Sequence, residues 1–298
     1  MSFYDLPALN QTFGLPGQLR FTETGDGQAV AEIANTHAEA TLHLQGAQLT
    51  GWTPRGQAPV IWLSPKAVFA PGKAIRGGVP VCWPWFGDRA GGPAHGYART
   101  SPWEVAASAQ AEDGATCLVL RLPAQPALWP HETPVEIRLS VGATLEIELA
   151  TRNLGAEAVV LSQALHTYFQ VADVRRIALE GLDGRDYFDK LDGQRKRQAG
   201  AVVFDGEVDR VYRDEGGDCV IDDPGLGRRI RIAKQGSAST VVWNPWTDKG
   251  RQLGDLGEDG HLGMVCVETA NAGEDAVTLA PGAAHRLKAA YRVEARPA

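Results

Sequence analysis

Sulfur is scarce in this 298-residue chain, which has four cysteines and two methionines. Cys82, Cys117, Cys219 and Cys266 stand singly, without a C-x-x-C pair, so neither a zinc ribbon nor a thiol-exchange motif is written into the sequence. A chain this long buries enough apolar surface to need no disulfide framework. Each cysteine has apolar neighbours, as in Met264-Val265-Cys266-Val267, which predicts buried free thiols. Long apolar runs are missing as well. No stretch approaches the roughly 18 residues of a membrane span. Met1–Pro7 has neither a basic start nor an apolar run, so no signal peptide is visible and a cytoplasmic protein is expected. Positive charge is in deficit: 29 Lys and Arg face 36 Asp and Glu, a net −7. That balance argues against a protein that coats nucleic acid or an anionic membrane. It is silent on a small anionic substrate, which a few local arginines decide.

Several catalytic signatures are also lacking. Gly72-Lys73 is followed by Ala74, where a phosphate loop needs Ser or Thr to hold magnesium. There is no G-x-S-x-G nucleophile elbow. His37 and His43 are too far apart along a strand to pair, and no Cys/His cluster has zinc spacing, so no metal is expected. No segment carries a long helical apolar stripe. Thr247–Leu262 is the best helix candidate, weakened by Gly250, Gly254, Gly257 and Gly260.

What the chain does have is period-two alternation, punctuated by 34 Gly and 18 Pro, and 44% apolar residues, which excludes wholesale disorder. In Pro134–Asn153, Val135, Ile137, Leu139 and Val141 face one way. After a turn at Gly142-Ala143, Leu145, Ile147 and Leu149 do the same, which predicts an antiparallel hairpin with one wet face. Shorter strand runs occur at Thr41–Leu49, Val60–Leu63, Cys117–Leu122, Val159–Val171, Thr240–Trp243 and Met264–Glu268. A second hairpin is expected over Cys219–Ile232, turning through Asp223-Pro224-Gly225. The pattern predicts an all-β antiparallel sandwich or barrel in one domain spanning 1–298.

Three segments are dense in residues a β core would not choose. Arg76-Gly77-Gly78-Val79-Pro80 runs into Trp83-Pro84-Trp85-Phe86 and then His95-Gly96-Tyr97-Ala98-Arg99. Its glycines permit a sharp bend, its aromatics offer flat surface to a sugar ring, and two guanidinium groups suit an anion. In Ala164-Leu165-His166-Thr167-Tyr168-Phe169 a histidine interrupts an apolar strand; by itself it reads as a structural residue. Val242-Trp243-Asn244-Pro245-Trp246 precedes Val265-Cys266-Val267-Glu268, where a carboxylate closes an apolar run. An ionised group there is costly without a partner, so Glu268 is a candidate base with a raised pKa, or else an edge residue that reaches water.

In this order, the five words resemble the aldose 1-epimerase superfamily and, within it, the hexose-6-phosphate mutarotases. The resemblance implies a galactose-mutarotase-like β supersandwich of antiparallel sheets and a cofactor-independent enzyme that interconverts anomers of a hexose 6-phosphate; a monomer is expected. It places the catalytic pair on His166 and Glu268, and substrate contacts on Arg76, His95, Arg99 and Asp209. Glu268 would act as base and His166 as acid, its pKa raised by the nearby carboxylate. Arg76 and Arg99 would hold the phosphate, and Trp83 or Trp246 would stack on the sugar. One departure stands out: Ala94 occupies a position where the family often has a substrate-binding Gln. The rival readings are an epimerase of unphosphorylated sugars and a non-catalytic carbohydrate-binding sandwich. A glycosidase needs two facing carboxylates, and only Glu268 looks placed for that work.

Overall fold

The computed structural model describes residues 4–213 and 216–297. All the paired strands run antiparallel. One eight-stranded sheet is built around the expected hairpin, with Val135–Val141 paired to Thr144–Arg152 in the register Leu139↔Ile147. The Thr144–Arg152 strand then receives Ala284–Ala295, which pairs with Arg228–Gln235. The alternation read from the sequence appears as alternating burial along Val135–Val141.

The second eight-stranded sheet carries the candidate site. Its order is Gln194–Arg197, Asp186–Asp189, Val208–Arg213, Ser239–Asn244, Met264–Asn271, Gln163–Leu165 and Val81–Cys82; Tyr168–Gln170 also pairs with Met264–Asn271. Ser239–Asn244 and Met264–Asn271 are buried along their whole length, so both faces are covered. That explains the unbroken apolar runs Val241-Val242-Trp243 and Met264-Val265-Cys266-Val267, which alternation alone does not predict. Val242, Val265 and Val267 share one core cluster with Leu145, Ile147 and Leu149, so the two large sheets meet across it. Leu19–Glu23, Ala29–Ala34, Ala38–His43 and Gln48–Pro54 form a four-stranded sheet, and Val159–Leu161 pairs with Val277–Leu279.

Several expectations need correction. Thr41–Leu49 is not one strand, because the chain turns between Ala38–His43 and Gln48–Pro54. Gly46 makes that turn at φ 76°, where a Cβ would lie 2.6 Å from the Arg99 carbonyl oxygen. Val60–Leu63 supplies isolated bridges at Ile61 and Leu63 rather than a strand. Val159–Val171 is three short strands. Thr247–Leu262 resolves into a helix over Trp246–Gln252 and a 3-10 turn at Gly260–Gly263, as its glycines suggest. The alternation gives no sign of the helix Leu6–Phe13, which Asp5 caps by accepting from the Ala8 amide at 3.0 Å. Cys82, Cys219 and Cys266 are buried, but Cys117 is only partly covered. No helix among the described residues is long and apolar enough to cross a membrane.

Candidate active site

Alternation along Met264–Asn271 sends Val265 and Val267 into the core and Cys266 and Glu268 to the opposite face. Leu165 pairs with Thr269 and Tyr168 with Cys266, so counting along both chains sets His166 opposite Glu268. Cross-strand neighbours share a face, and His166 Nε2 lies 3.3 Å from Glu268 Oε1. Two residues on, the Tyr168 ring stacks on His166 with centroids 5.0 Å apart. The same face carries Trp243 and Asp209, because Cys266 pairs with Trp243 and Trp243 with Asp209.

Loops complete the pocket. Arg76 donates from Nε to Asp255 Oδ1 at 3.0 Å and from Nη1 to the Tyr168 hydroxyl at 3.1 Å. It is delivered by Gly77 and Gly78, both at positive φ; a Cβ on Gly78 would lie 2.4 Å from the Leu49 carbonyl oxygen. Arg99 donates from Nη2 to the Ala94 carbonyl at 2.8 Å. His95 is held at φ 63°, unusual for a residue with a side chain. The Gly87 amide donates to its Nδ1 at 3.4 Å, which leaves Nε2 to carry the ring proton. Gly96, which follows, would bring a Cβ to 2.0 Å from the Trp83 carbonyl oxygen. Gly96→Ala is therefore expected to cost about 2 kcal/mol or more, by strain and collision. An unchanged thermal denaturation midpoint would show that the loop absorbs the contact.

His166, Glu268, Arg76, His95, Arg99 and Asp209 all line one pocket of about 240 Å³. Sequence reasoning missed Lys190, which lines it too, with Nζ 3.4 Å from Asp209 Oδ1 and 5.7 Å from the centre of the Phe86 ring. Nothing in the strand pattern singles it out, since it follows Asp186–Asp189 in a charged stretch. The aromatic expectation needs correction. Trp83 is buried in the core with Nε1 donating to Thr151 Oγ1, and Trp246 packs against the core beside His261. Trp85 is buried and bonds to the Pro93 carbonyl. The rings that face the pocket are Phe86, Tyr168 and Trp243. Nor is Glu268 the only carboxylate there, because Asp209 lines the same wall. Among the described residues no three His, Cys, Asp or Glu side chains are grouped to hold a metal ion.

Electrostatics depart from the simple expectation in one respect. Glu268 is 2% exposed, so it is no edge residue reaching water. Burial pushes its pKa well above the ordinary carboxylate range; Lys190 opposes this, Asp209 adds to it and Arg99 opposes it. His166 was expected to rise beside a carboxylate, but burial, with His95, Arg99 and Arg76, holds it well below the usual imidazole value. Both shifts favour the uncharged pair, a protonated carboxyl beside a neutral ring. His95 is lowered to about 3 by burial and by Arg99, Lys190 and Arg76, so it is a neutral donor. Glu268 Oε2 and His166 Nδ1 have no hydrogen-bond partner among the described residues. Such orphaned buried groups are what a polar ligand satisfies.

Residues 29–292 match the family model described as aldose 1-epimerase. A protein of Escherichia coli K12, provisionally named a glucose-6-phosphate 1-epimerase, is 38% identical over 248 residues, 81% of this chain and 83% of its own. One from Cenchrus ciliaris with the same provisional name is 35% identical over 257 residues, 82% of this chain and 78% of its own. A solved structure from Salmonella typhimurium, provisionally named a mutarotase, superposes with a TM-score of 0.88 at 33% identity, covering 95% of this chain and 96% of that one. A galactose mutarotase-like protein from Lactobacillus casei, at 15% identity and a TM-score of 0.69, covers 89% of this chain and 100% of that one, and shares the fold.

Proposed function

The chain belongs to the aldose 1-epimerase family, and from that premise we propose that it interconverts the α and β anomers of a hexose 6-phosphate, with glucose 6-phosphate the first candidate. It is an isomerase of the mutarotase type, acting on a small sugar. The observation that carries the finer reading is an acid–base pair at 3.3 Å sharing one pocket with two guanidinium groups. The reading includes one domain over 1–298, working as a cytoplasmic monomer without a cofactor; a core cluster common to both large sheets supports the single domain.

Anomer exchange opens the hemiacetal, lets the aldehyde turn, and closes the ring on its other face. Opening takes the proton from the C1 hydroxyl and gives one to the ring oxygen. The pair needs only one proton between its two groups to do both. In the resting pocket burial keeps that proton on Glu268. A bound sugar reverses this: its C1 hydroxyl donates to the carboxylate form, and its ring oxygen accepts from the imidazolium form. The proton therefore crosses to His166, and the C1 hydroxyl faces a carboxylate base while the ring oxygen faces an acid. Closure runs the same steps backward. Arg76 and Arg99 hold the phosphate, and His95 donates to a sugar hydroxyl. Fixing the remote end positions C1 and the ring oxygen between base and acid.

A panel of phosphorylated and free sugars, followed by polarimetry against the spontaneous rate, tests this reading. Preference for glucose 6-phosphate over glucose is the expected outcome. Equal turnover of both returns the chain to the unphosphorylated-sugar epimerases, and no acceleration of either makes it a binding sandwich. The pH profile on free glucose, which has no titrating phosphate, adds a second check. Glu268 is raised and His166 lowered, so the one-proton state extends from well below the usual histidine value of 6.5 to well above the usual glutamate value of 4.5. The acid limb of the profile should therefore lie below pH 6.5 and the alkaline limb above pH 4.5. An acid limb centred at or above 6.5 would show an imidazole that burial does not lower.

A further inference from the structure

The face that carries Glu268 does not end at the catalytic pocket. Val241 pairs with Glu268, Val211 with Val241, Phe188 with Val211, and Arg195 with Phe188. These side chains form one row across five strands on a single face of the sheet. At about 4.8 Å per strand, Phe188 lies roughly 14 Å from Glu268. Over this outer part of the row is a cavity of about 720 Å³, three times the catalytic pocket, and the two cavities meet at Phe86 and Lys190.

The outer cavity breaks the usual pattern of a half-wet strand. In Asp186–Asp189 the buried positions are Tyr187 and Asp189, and the exposed interior position holds a phenyl ring, Phe188, at 43% exposure. A carboxylate points inward, held by Lys196 at 2.8 Å, while an apolar ring is left in water. Beside that ring two guanidinium groups, Arg195 and Arg213, both clasp the single carboxylate of Glu274. One carboxylate cannot neutralise two cations, so among the described residues this wall keeps a surplus positive charge. A flat apolar surface next to surplus positive charge fits a sugar ring that carries an anion. The catalytic pair needs only O1 and the ring oxygen, so the far end of the substrate is free to bear a further residue.

We propose that the outer cavity is a second sugar subsite, which seats the distal, phosphorylated ring of a reducing disaccharide while its reducing ring occupies the catalytic pocket. Phe188 and Val211 form the floor under the distal ring, and Arg195 and Arg213 meet its phosphate. The separation along the row exceeds one hexose ring and suits two linked ones. This inference rests on the mutarotase reading for its catalytic end only.

The test compares anomer exchange of maltose 6′-phosphate, maltose and glucose 6-phosphate by NMR, with calorimetric binding of maltose 6′-phosphate, for wild type, Phe188→Ala and Arg195→Ala. The wild type should show a KM for maltose 6′-phosphate roughly tenfold below that for maltose, and each substitution should remove most of that advantage. Glucose 6-phosphate, which does not reach Phe188, should be turned over equally by all three proteins. Equal KM values for maltose and its 6′-phosphate, or substitutions that leave them unmoved, overturn the subsite. If glucose 6-phosphate is not turned over at all, the mutarotase reading falls and calorimetry still decides the subsite: weaker binding by Phe188→Ala upholds it, and unchanged binding overturns it.

Discussion

Glu268→Gln is expected to lower kcat/KM for anomer exchange of glucose 6-phosphate by roughly 10²–10⁴-fold, the usual contribution of one positioned proton-transfer group. Glutamine keeps the shape and the strand, but it cannot take the C1 hydroxyl proton. The same substitution should raise the thermal denaturation midpoint, which separates lost chemistry from lost fold. The sign follows from linkage. The folded-state pKa of Glu268 lies well above the ordinary 4.5, so folding takes up a proton, and the stability this group contributes is lost as pH rises through 4.5 toward the folded value. Gln has no such dependence, so its advantage should widen between pH 4.5 and neutrality. His166→Asn should cost a similar factor in rate, and the double variant little more, because the two groups act as a unit. Exchange spectroscopy at equilibrium measures the rate and calorimetry the midpoint. Near-wild-type exchange by Glu268→Gln would end the acid–base assignment.

Arg76→Ala carries the second large effect, directed at KM rather than at chemistry. A charge-assisted hydrogen bond to phosphate contributes roughly 1.5–3 kcal/mol, so KM for glucose 6-phosphate should rise on the order of 10–100-fold. Free glucose should be affected far less, since it presents no anion. Arg76 already donates to Asp255 and Tyr168, which fixes its direction; Tyr168 and Asp255 outweigh the effect of burial and keep it cationic. Arg99 Nε has no partner among the described residues, so a second donor remains on that wall. A steady-state comparison of the two sugars decides the matter: equal loss on both removes the phosphate site.

How far the sequence led depends on the kind of feature. The Pro134–Asn153 hairpin was legible because one face is wet and alternation survives. Thr41–Leu49 was misread because apolar residues continue through the tight turn at Gly46-Ala47. The site words around Arg76, His95, His166 and Glu268 are legible together, through the family resemblance that their order carries; alone, His166 reads as a structural residue. Trp83 and Trp246 were assigned to the sugar wrongly, since an indole's sequence says nothing about which side of a loop it packs on. Lys190 was missed because a lysine in a charged stretch reads as solvated surface until the fold sets Asp209 beside it.

The sequence by itself determined the strand-rich architecture, because side-chain alternation is local, and its five short words carry the family resemblance that points to the six pocket residues. Only the tertiary structure decided that His166 stands opposite Glu268, that Trp243 rather than Trp83 faces the pocket, and that burial favours the uncharged form of both catalytic groups. Alternation assigns a residue to one of two faces but leaves open which strand lies alongside. A buried group's charge state is set by everything packed around it, and that sum exists only once the strands are in register.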